Sequence, residues 1–431
     1  MKKLTTVITL ALLLGLTVCL LASCGHQHEY NADYTYDGSH HWHEASCTHT
    51  EDEMPEIIDF GTHTMSETAT VLAPGCSTAG KEASHCTVCG FERSAVLPAT
   101  GEHTYEEGKT SYIVSDGVLY LQKLCDVCNT ATAKTPVENS YVVKNATEAQ
   151  AALDAATEGT TIYLNATNYG TLYLRTIDDT STRYEMPEWA GGSGVLLLRE
   201  FKDLTILAAP GAKVDCFKLE ALTYTPGTNT HSNSAITYLQ AAISLKNVSI
   251  SGITFTGNAP VAIDLSGTVA VDGLTLDSCK MTDLDRDSRL LYRSGKTADV
   301  MANGVTVLTT AMKNITVSNC TVDGAYQMLE LRGTENLTVT NNTLKNVAMH
   351  AILLAADGTP YTGTVTITDN TVSGLSERFL RANELTATVV VSGNTVTDYL
   401  GADADIVKIT AATGTVTVEG NSFPEGTTIT K

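Results

Sequence analysis

Val365-Thr-Ile-Thr-Asp-Asn-Thr-Val372 is the stretch that decides the fold, because the second half of this 431-residue chain repeats it. Each copy reads apolar, polar, apolar, a two-residue corner and then a second short strand. Alternation of period two predicts β-strands, and Gly, Asn or Asp at the corner supplies the backbone conformations of a bend. Successive copies therefore predict the rungs of a solenoid. The seven copies begin at Val248, Leu274, Ile315, Leu337, Val365, Val389 and Val416.

The sixth position of the repeat forms a column that we expect to face the core. Asparagines stacked from rung to rung can satisfy their buried amides and the corner backbone internally, as amide ladders do. The same position assigns Cys279 and Cys320 to the interior, where a free cysteine behaves as a small hydrophobe. The column consists of Ile253, Cys279, Cys320, Asn342, Asn370, Asn394 and Asn421.

Through these columns, residues 141–431 resemble the right-handed parallel β-helix of pectin-lyase-like proteins. The resemblance implies an all-β solenoid that begins with a helix across its first rung, where the helix covers the open end of the core. The sequence agrees with such a capping helix, because Asn145 and Glu148 are spaced as a capping box before an apolar-periodic segment that ends at Gly159. The expected fold class is thus an all-β right-handed parallel β-helix, preceded by small His/Cys-rich modules.

The N-terminus has the order of a signal peptide. Lys2 and Lys3 precede an apolar run that ends in Leu21-Ala-Ser-Cys24. The ending resembles the bacterial lipoprotein cleavage box, which implies that residues 1–23 are removed and that Cys24 receives a diacylglyceryl group. A transmembrane anchor is the alternative, but the run is short for a span of about 20 residues. We expect an exported protein, lipid-anchored at the extracytoplasmic face of the cell membrane.

The charge balance restricts the partners. Without Lys2 and Lys3 the chain keeps 25 basic against 48 acidic residues, a charge of −23. Such a balance repels nucleic acid and anionic headgroups. We therefore expect no nucleic-acid partner and favour a neutral glycan, a cation-bridged acidic glycan or a basic polymer.

Histidine and cysteine are concentrated before the β-helix, since nine of the 11 histidines lie between His26 and His103. This concentration predicts three small modules: module 1 is a His-rich segment at 24–60, module 2 covers 61–100 and module 3 covers 101–140. Small modules with little hydrophobic core need a metal ion or a disulfide to fold, so we expect the His/Cys sites to be structural rather than catalytic.

Module 2 carries the clearest metal motif. Cys86-Thr-Val-Cys89 followed by glycine presents two thiolates to one ion, and Cys76 and His63 would complete a tetrahedral zinc site. The unit resembles short His/Cys modules repeated in surface proteins of anaerobic bacteria. A Cys86–Cys89 disulfide is the alternative, which an exported compartment permits.

Modules 1 and 3 carry weaker versions of this motif. In module 3, His103, Cys125 and Cys128 look like the same unit with one ligand missing, because Ser115 stands where the alignment requires a cysteine. This copy is metal-free, disulfide-bonded or completed by a residue from another segment. Module 1 is either a solvated His-rich linker or a metal site, for which the preferred ligands are His28, His43, Cys47 and His49.

The β-helix offers only weak candidates for catalysis. Asp283, Asp285 and Asp287 form a run that could hold calcium, and Arg289 or Lys296 could neutralise a uronate. A solvated charged loop explains this run equally well. Further along, Glu330-Leu-Arg332 lies on one strand, but the next rung offers Ile352-Leu-Leu354 instead of a basic partner.

The sequence is compatible with two functions. The first is a surface lipoprotein whose β-helix binds glycan or other cell-surface material, and the second is a polysaccharide lyase or glycoside hydrolase. The long loops at 176–194 and 222–240 are the expected contact surfaces, because insertions in a solenoid gather on its binding face.

Overall fold

The computed structural model describes residues 28–47, 57–106, 108–177, 180–189, 192–221, 236–282, 288–356 and 358–431. The signal peptide, Cys24, His49 and the run from Asp283 to Asp287 lie outside the described residues. The chain divides into two compact units, of which the first runs to Ser111 and also contains Gln122–Ala133. The second unit comprises Tyr112–Leu121 and Lys134–Lys431. None of the helices in the described ranges has the length and apolar character to cross a membrane.

Short strands form three small sheets before the solenoid, each with its strands in chain order. Their strands are β1 Thr35–Tyr36, β2 His40–His43 and β3 Ile58–Thr62, then β4 Ala69–Leu72, β5 Gly80–His85 and β6 Glu92–Leu97, then β7 Thr110–Ser115, β8 Val118–Lys123 and β9 Thr135–Pro136. The first unit has little apolar core. Its buried hydrophobic side chains, among those that the structure describes, are Cys76, Ala83, Cys86 and Cys125.

The second unit is the predicted right-handed parallel β-helix, built from three long sheets. Sheet 1 contains β10 Ser140–Val143, β11 Thr161–Leu164, β15 Thr205–Ala208, β18 Ile236–Ser251, β21 Val269–Asp277, β26 Met312–Ser318, β29 Glu335–Thr340, β32 Thr362–Thr368, β35 Thr388–Ser392 and β38 Val416–Glu419. Sheet 2 contains β16 Lys213–Val214, β19 Thr254–Phe255, β22 Lys280–Met281, β27 Thr321–Asp323, β30 Thr343–Lys345, β33 Thr371–Leu375 and β36 Thr395–Tyr399. Sheet 3 contains β12 Thr171–Thr176, β17 Cys216–Ala221, β20 Val261–Asp264, β23 Arg289–Tyr292, β28 Gln327–Arg332, β31 Ile352–Ala355, β34 Leu380–Asn383, β37 Asp405–Thr410 and β39 Thr428–Thr430.

The repeat places its two strands in sheets 1 and 2, with the predicted corner between them. At this corner Asn341 and Asp369 have φ values of 56° and 57°, and Gly393 has a φ of 68°. Only glycine adopts this left-handed conformation without cost, and Asn and Asp tolerate it better than other residues. The corner composition therefore follows from backbone sterics.

The asparagine column faces the core and forms the predicted ladder. The side-chain amides of Asn342, Asn370 and Asn394 each donate to the Oδ1 of the next asparagine in the column at 2.9 Å. Cys279 and Cys320 lie in the same column and are at most 1% exposed, which confirms that they face the core.

The predicted capping helix is α1, Ala146–Ala155. The Oδ1 of Asn145 accepts from the backbone N–H of Glu148 at 2.9 Å, and the Glu148 carboxylate reaches back to the N–H of Lys144 at 2.7 Å. The buried face contains Ala149, Ala152 and Leu153.

The expected loop at 176–194 is largely strand, which corrects the sequence-based interpretation. β13 Thr182–Trp189 pairs antiparallel with β14 Gly192–Lys202, and β14 continues in parallel along β18. The run Val195 to Leu197 of β14, which follows the expected loop, is buried. Residues 222–235 of the second expected loop lie outside the described ranges, and a further hairpin joins β24 Asp299–Ala302 to β25 Val305–Thr309.

Candidate functional site

Two groups of four His and Cys side chains lie in the first unit. Within each group, the ligand atoms are all within 4.8 Å of one another. Cluster A consists of His41, His63, Cys86 and Cys89, and cluster B consists of Cys76, His103, Cys125 and Cys128.

The geometry of cluster A directs one nitrogen of each imidazole toward a thiol. The Sγ of Cys89 lies 3.4 Å from the Nδ1 of His63, and the Sγ of Cys86 lies 4.0 Å from the Nδ1 of His41. The Nε2 of His63 donates to the carbonyl of Asp37 at 2.9 Å, which raises the pKa of His63. Such a contact leaves Nδ1 as the ligand atom and fixes the orientation of the ring.

Cluster B has three thiols and one imidazole. The Sγ atoms of Cys76 and Cys125 are 3.8 Å apart, and the Sγ of Cys128 lies 3.2 Å from the Nδ1 of His103. Hydrogen bonds from the Thr130 side chain and then from Cys76 lower the pKa of Cys128 to about 5. A thiolate is the form that binds a metal ion.

The two Cys-x-x-Cys turns close with the same backbone hydrogen bond. Gly90 donates to the carbonyl of Cys86 at 3.0 Å, and Asn129 donates to the carbonyl of Cys125 at the same distance. Both donors have a left-handed backbone, with φ values of 74° and 58°. Burial would raise the pKa of Cys86, but backbone N–H groups of Cys89 and Val88 outweigh it and lower the pKa to about 6.

This grouping differs from the expected ligand sets. Cys76 was expected beside His63 and Cys86, but it lies in cluster B, and His41 occupies the fourth position of cluster A. Cys76, which belongs to another segment, lies beside the module 3 motif, and this agrees with one of its three alternatives. None of the four cysteines in the two turns forms a disulfide.

Module 1 shows only part of its expected site. The Nδ1 of His28 lies 3.5 Å from the Sγ of Cys47. The ring of His43 lies 3.9 Å from that of Tyr34, and its Nε2 lies 3.9 Å from the carboxylate of Asp59. His49, the fourth expected ligand, lies outside the described residues.

The weak candidates in the β-helix have structural contacts. The Nε of Arg289 lies 2.9 Å from Oε2 of Glu330, and its guanidinium lies 4.6 Å from the centre of the Tyr326 ring. The side chain of Lys296 packs at Gly358, where an added Cβ would lie 3.0 Å from Nζ. The proposed calcium ligands Asp283, Asp285 and Asp287 are not among the described residues.

Sequence analysis missed a cleft of about 700 Å³ on sheet 3, which we call the basic cleft. Arg381 is exposed while Leu380 and Ala382 are buried, so Arg381 points outward from the sheet. Among the described residues that line the cleft, four are cationic and none is acidic. The lining consists of Arg332, Leu353, Ala355, Arg378, Arg381, Ala382, Asn383, Lys408 and Thr410.

The strand register brings the charges together. Leu353, Arg381 and Lys408 are paired neighbours across β31, β34 and β37. Side chains at paired positions of neighbouring strands lie on one face, with the strands about 4.8 Å apart. Like charges in this arrangement repel each other, so the sheet carries a local electrostatic cost at Arg381 and Lys408.

Carboxylates neutralise some of the cations in the cleft but not all of them. Arg332 lies 3.0 Å from the carboxylate of Glu330, Arg378 pairs with Asp403, and Lys408 lies 3.7 Å from Asp405. In the part of the chain that the structure describes, Arg381 has no carboxylate within 4 Å. Its Nη1 instead lies 3.4 Å from the Nε2 of His350.

His350 is buried next to Arg381, outside the lining of the cleft. The side chain is 1% exposed, and the backbone N–H of Arg378 donates to its Nδ1 at 3.4 Å. Burial, followed by the charges of Arg381 and Arg378, lowers the pKa of His350 to about 4. The imidazole is therefore uncharged at neutral pH and does not repel the cations.

The comparisons with known proteins agree with the fold. A family model described as a right-handed β-helix region matches residues 226–423. No curated protein matches the chain.

Three solved structures are similar to this chain. The family 28 exopolygalacturonase of Yersinia enterocolitica is 10% identical and covers 77% of this chain and 84% of its own, with a TM-score of 0.28. The polygalacturonase of Erwinia carotovora ssp. carotovora is 13% identical and covers 71% and 100%, with a TM-score of 0.23. The GH136 lacto-N-biosidase of Eubacterium ramulus is 10% identical and covers 66% and 67%, with a TM-score of 0.17. Likeness at this level carries no argument about activity.

Proposed function

We propose that this protein is an exported lipoprotein whose β-helix binds an anionic polysaccharide in the basic cleft. The observation that carries the proposal is the charge of the cleft, where the described lining has four cationic and no acidic side chains in a chain of net charge −21. A concave site lined by one sign of charge concentrates its field and recruits the opposite charge.

Glu330, Asp403 and Asp405 lie beside three of these cations, whereas Arg381 has no carboxylate within 4 Å among the described residues. Charges separated by more than about 8 Å are largely screened at physiological ionic strength, so the nearest side chains decide what the cleft accepts. Arg381 and Lys408 supply donors for a carboxylate or sulfate group, and Arg can hold such a group through two parallel hydrogen bonds. Leu353 and Ala355 supply apolar surface beside these cations.

The proposal is binding rather than cleavage. Most glycoside hydrolases use a pair of carboxyl groups that flank the scissile bond. The described lining of the basic cleft contains no such pair, and His350 is buried behind Arg381. A lyase or hydrolase is the alternative, and a product assay distinguishes it from a binding protein.

We propose that clusters A and B each hold a structural zinc ion. Zinc bonds of about 2.3 Å to sulfur and about 2.0 Å to nitrogen in a tetrahedron place two sulfurs about 3.8 Å apart and a sulfur and a nitrogen about 3.5 Å apart. The corresponding distance here is 3.8 Å between the sulfurs of Cys76 and Cys125, and the sulfur-to-nitrogen distances are 3.2, 3.4 and 4.0 Å. Thiolate and imidazole ligands favour zinc over calcium or magnesium.

The lipid anchor remains a proposal that rests on Leu21-Ala-Ser-Cys24. Acylation at Cys24 would place both units outside the membrane, where polysaccharide is accessible. The modules would then form the membrane-proximal part of the mature chain.

A glycan panel with the mature protein tests the binding proposal. We expect binding to polygalacturonate, alginate or a sulfated glycosaminoglycan, weakening as salt rises, and no binding to neutral glucans. Incubation of the same mixtures should release no unsaturated or reducing sugars. Binding to neutral glucans alone would contradict the proposed ligand class, and released sugars would establish the enzyme alternative.

A further inference from the structure

We infer that each metal site joins two successive modules, so that clusters A and B interleave the N-terminal modules into one metal-linked chain. This inference rests on the proposal that both clusters hold zinc. Each cluster takes three ligands from one module, namely one His and the Cys-x-x-Cys pair. The fourth ligand comes from the module before it: His41 of module 1 completes cluster A, and Cys76 of module 2 completes cluster B.

Modules 2 and 3 build their three-ligand part in the same way. The residue after the first cysteine donates its N–H to the carbonyl of the residue after the histidine, which joins Thr87 to Thr64 and Asp126 to Thr104 at 2.9 Å in each case. This contact holds the His segment against the Cys-x-x-Cys turn. Equivalent scaffolds therefore leave an equivalent fourth position for a ligand from elsewhere.

In both clusters, a backbone contact positions the fourth ligand beside the segment that precedes the cluster's histidine. In cluster A, His41 pairs with Gly61, two residues before the histidine of module 2. In cluster B, the N–H of Gly101, two residues before His103, donates to the carbonyl of Cys76 at 3.0 Å. The segment that enters each module thus binds the segment that carries the fourth ligand.

Packing at Gly61 supports a fixed position for His41. A Cβ at residue 61 would lie 3.3 Å from the Nε2 of His41, so the absence of a side chain there lets the imidazole lie against the neighbouring strand. The ring also meets Tyr34 edge-on at 5.0 Å, and His41 is 6% exposed. The imidazole is therefore buried, and its Nδ1 lies 4.0 Å from the Sγ of Cys86.

Interleaving explains why Ser115 stands where a cysteine was expected. Cys76 does not serve its own module but the next one, so the aligned position in module 3 would serve a following module. The β-helix begins there instead. Module 3 is therefore complete, and its apparent defect arises from assigning ligands by proximity in sequence.

Zinc content and sulfur coordination of the mature full-length protein test this inference. Wild type should bind two zinc ions, and X-ray absorption should give an average of 2.5 sulfur ligands per zinc, from two in cluster A and three in cluster B. His41→Cys keeps a ligand at the fourth position, so it should retain two ions and raise the average to about 3. Cys76→His should also retain two ions and lower the average to about 2.

The matched control is His43→Ala, a change on the same strand as His41 but outside cluster A. It should leave both the ion count and the average at their wild-type values. An unchanged average in His41→Cys, or loss of an ion in that variant, would overturn the interleaved assignment while leaving zinc binding intact. A wild-type protein without zinc would instead refute the proposed zinc sites themselves.

Discussion

Replacement of Asn370 by leucine should destabilise the β-helix through the ladder. Asn370 is 1% exposed and makes four side-chain hydrogen bonds. Its Oδ1 accepts from the backbone N–H of Asn342 at 3.0 Å and from the Asn342 amide at 2.9 Å. Its Nδ2 donates to the carbonyl of Val339 at 3.0 Å and to Oδ1 of Asn394 at 2.9 Å.

Leucine has a similar shape but no Oδ1, so the backbone N–H and the side-chain amide of Asn342 both lose this acceptor. Each buried donor that loses its partner costs about 1–3 kcal/mol, and the apolar surface that leucine buries offsets part of the sum. We therefore expect the free energy of unfolding to fall by about 2–4 kcal/mol, measured by urea unfolding followed with circular dichroism. Thr371→Val, an exposed change next to the column, should alter it by less than about 0.5 kcal/mol. A loss below about 1 kcal/mol in Asn370→Leu would show that the ladder does not stabilise the solenoid.

Three further predictions concern pH, metal and the anchor. The pKa of His350 falls from an ordinary value near 6.5 to about 4 on folding, so the unfolded chain binds its proton first as pH drops. Wild type should therefore lose at most about 3 kcal/mol more stability than His350→Gln between pH 6.5 and 4 in paired urea titrations, and parallel pH profiles would contradict this. Removal of zinc by a chelator should unfold the first unit, because most of its described buried apolar side chains are cysteines of clusters A and B. The β-sheet circular dichroism of the solenoid should persist. Unchanged hydrogen exchange in residues 57–106 after chelation would contradict a stabilising role of the metal. Cys24→Ser should leave the protein unlipidated, and an acyl probe that still labels this variant would exclude the proposed anchor.

The solenoid could be predicted because its signal is local and repeated. The alternation around Val365, the corner at Asp369 and the column at Asn370 each follow from period and backbone sterics, and the structure confirms all three. The hairpin of β13 and β14 was expected as a loop because its pairing depends on the neighbouring strand β18, which no local pattern reveals.

The metal clusters could be predicted only in part. Residue types and the Cys-x-x-Cys spacing identified Cys86, Cys89, Cys125 and Cys128, since both cysteines of each pair lie on one turn. The place of Cys76 beside the module 3 motif and of His41 beside the module 2 motif was not predicted, because His41 reaches cluster A through pairing of β2 with β3, which is a tertiary contact.

The basic cleft was missed for a related reason. The strand next to Arg332 offers no basic residue, whereas Arg381 and Lys408 lie on the two strands after it. Continuing the rung alignment from Leu353 would have found both cations. The strongly acidic net charge also pointed away from an anionic ligand, because it does not report the local field.

Affinity for the anionic glycan that binds best, measured by titration calorimetry at physiological salt, is the most direct test of the proposed function. Arg381→Gln combined with Lys408→Gln should weaken binding at least about tenfold, since each lost charge-assisted contact is worth about 1.5–3 kcal/mol before new solvent contacts are made. The matched control is Lys280→Gln with Lys345→Gln, which removes the same charge from exposed positions on sheet 2. This control should bind as wild type does. Equal weakening in both double variants, or no weakening in the first, would contradict binding in the basic cleft.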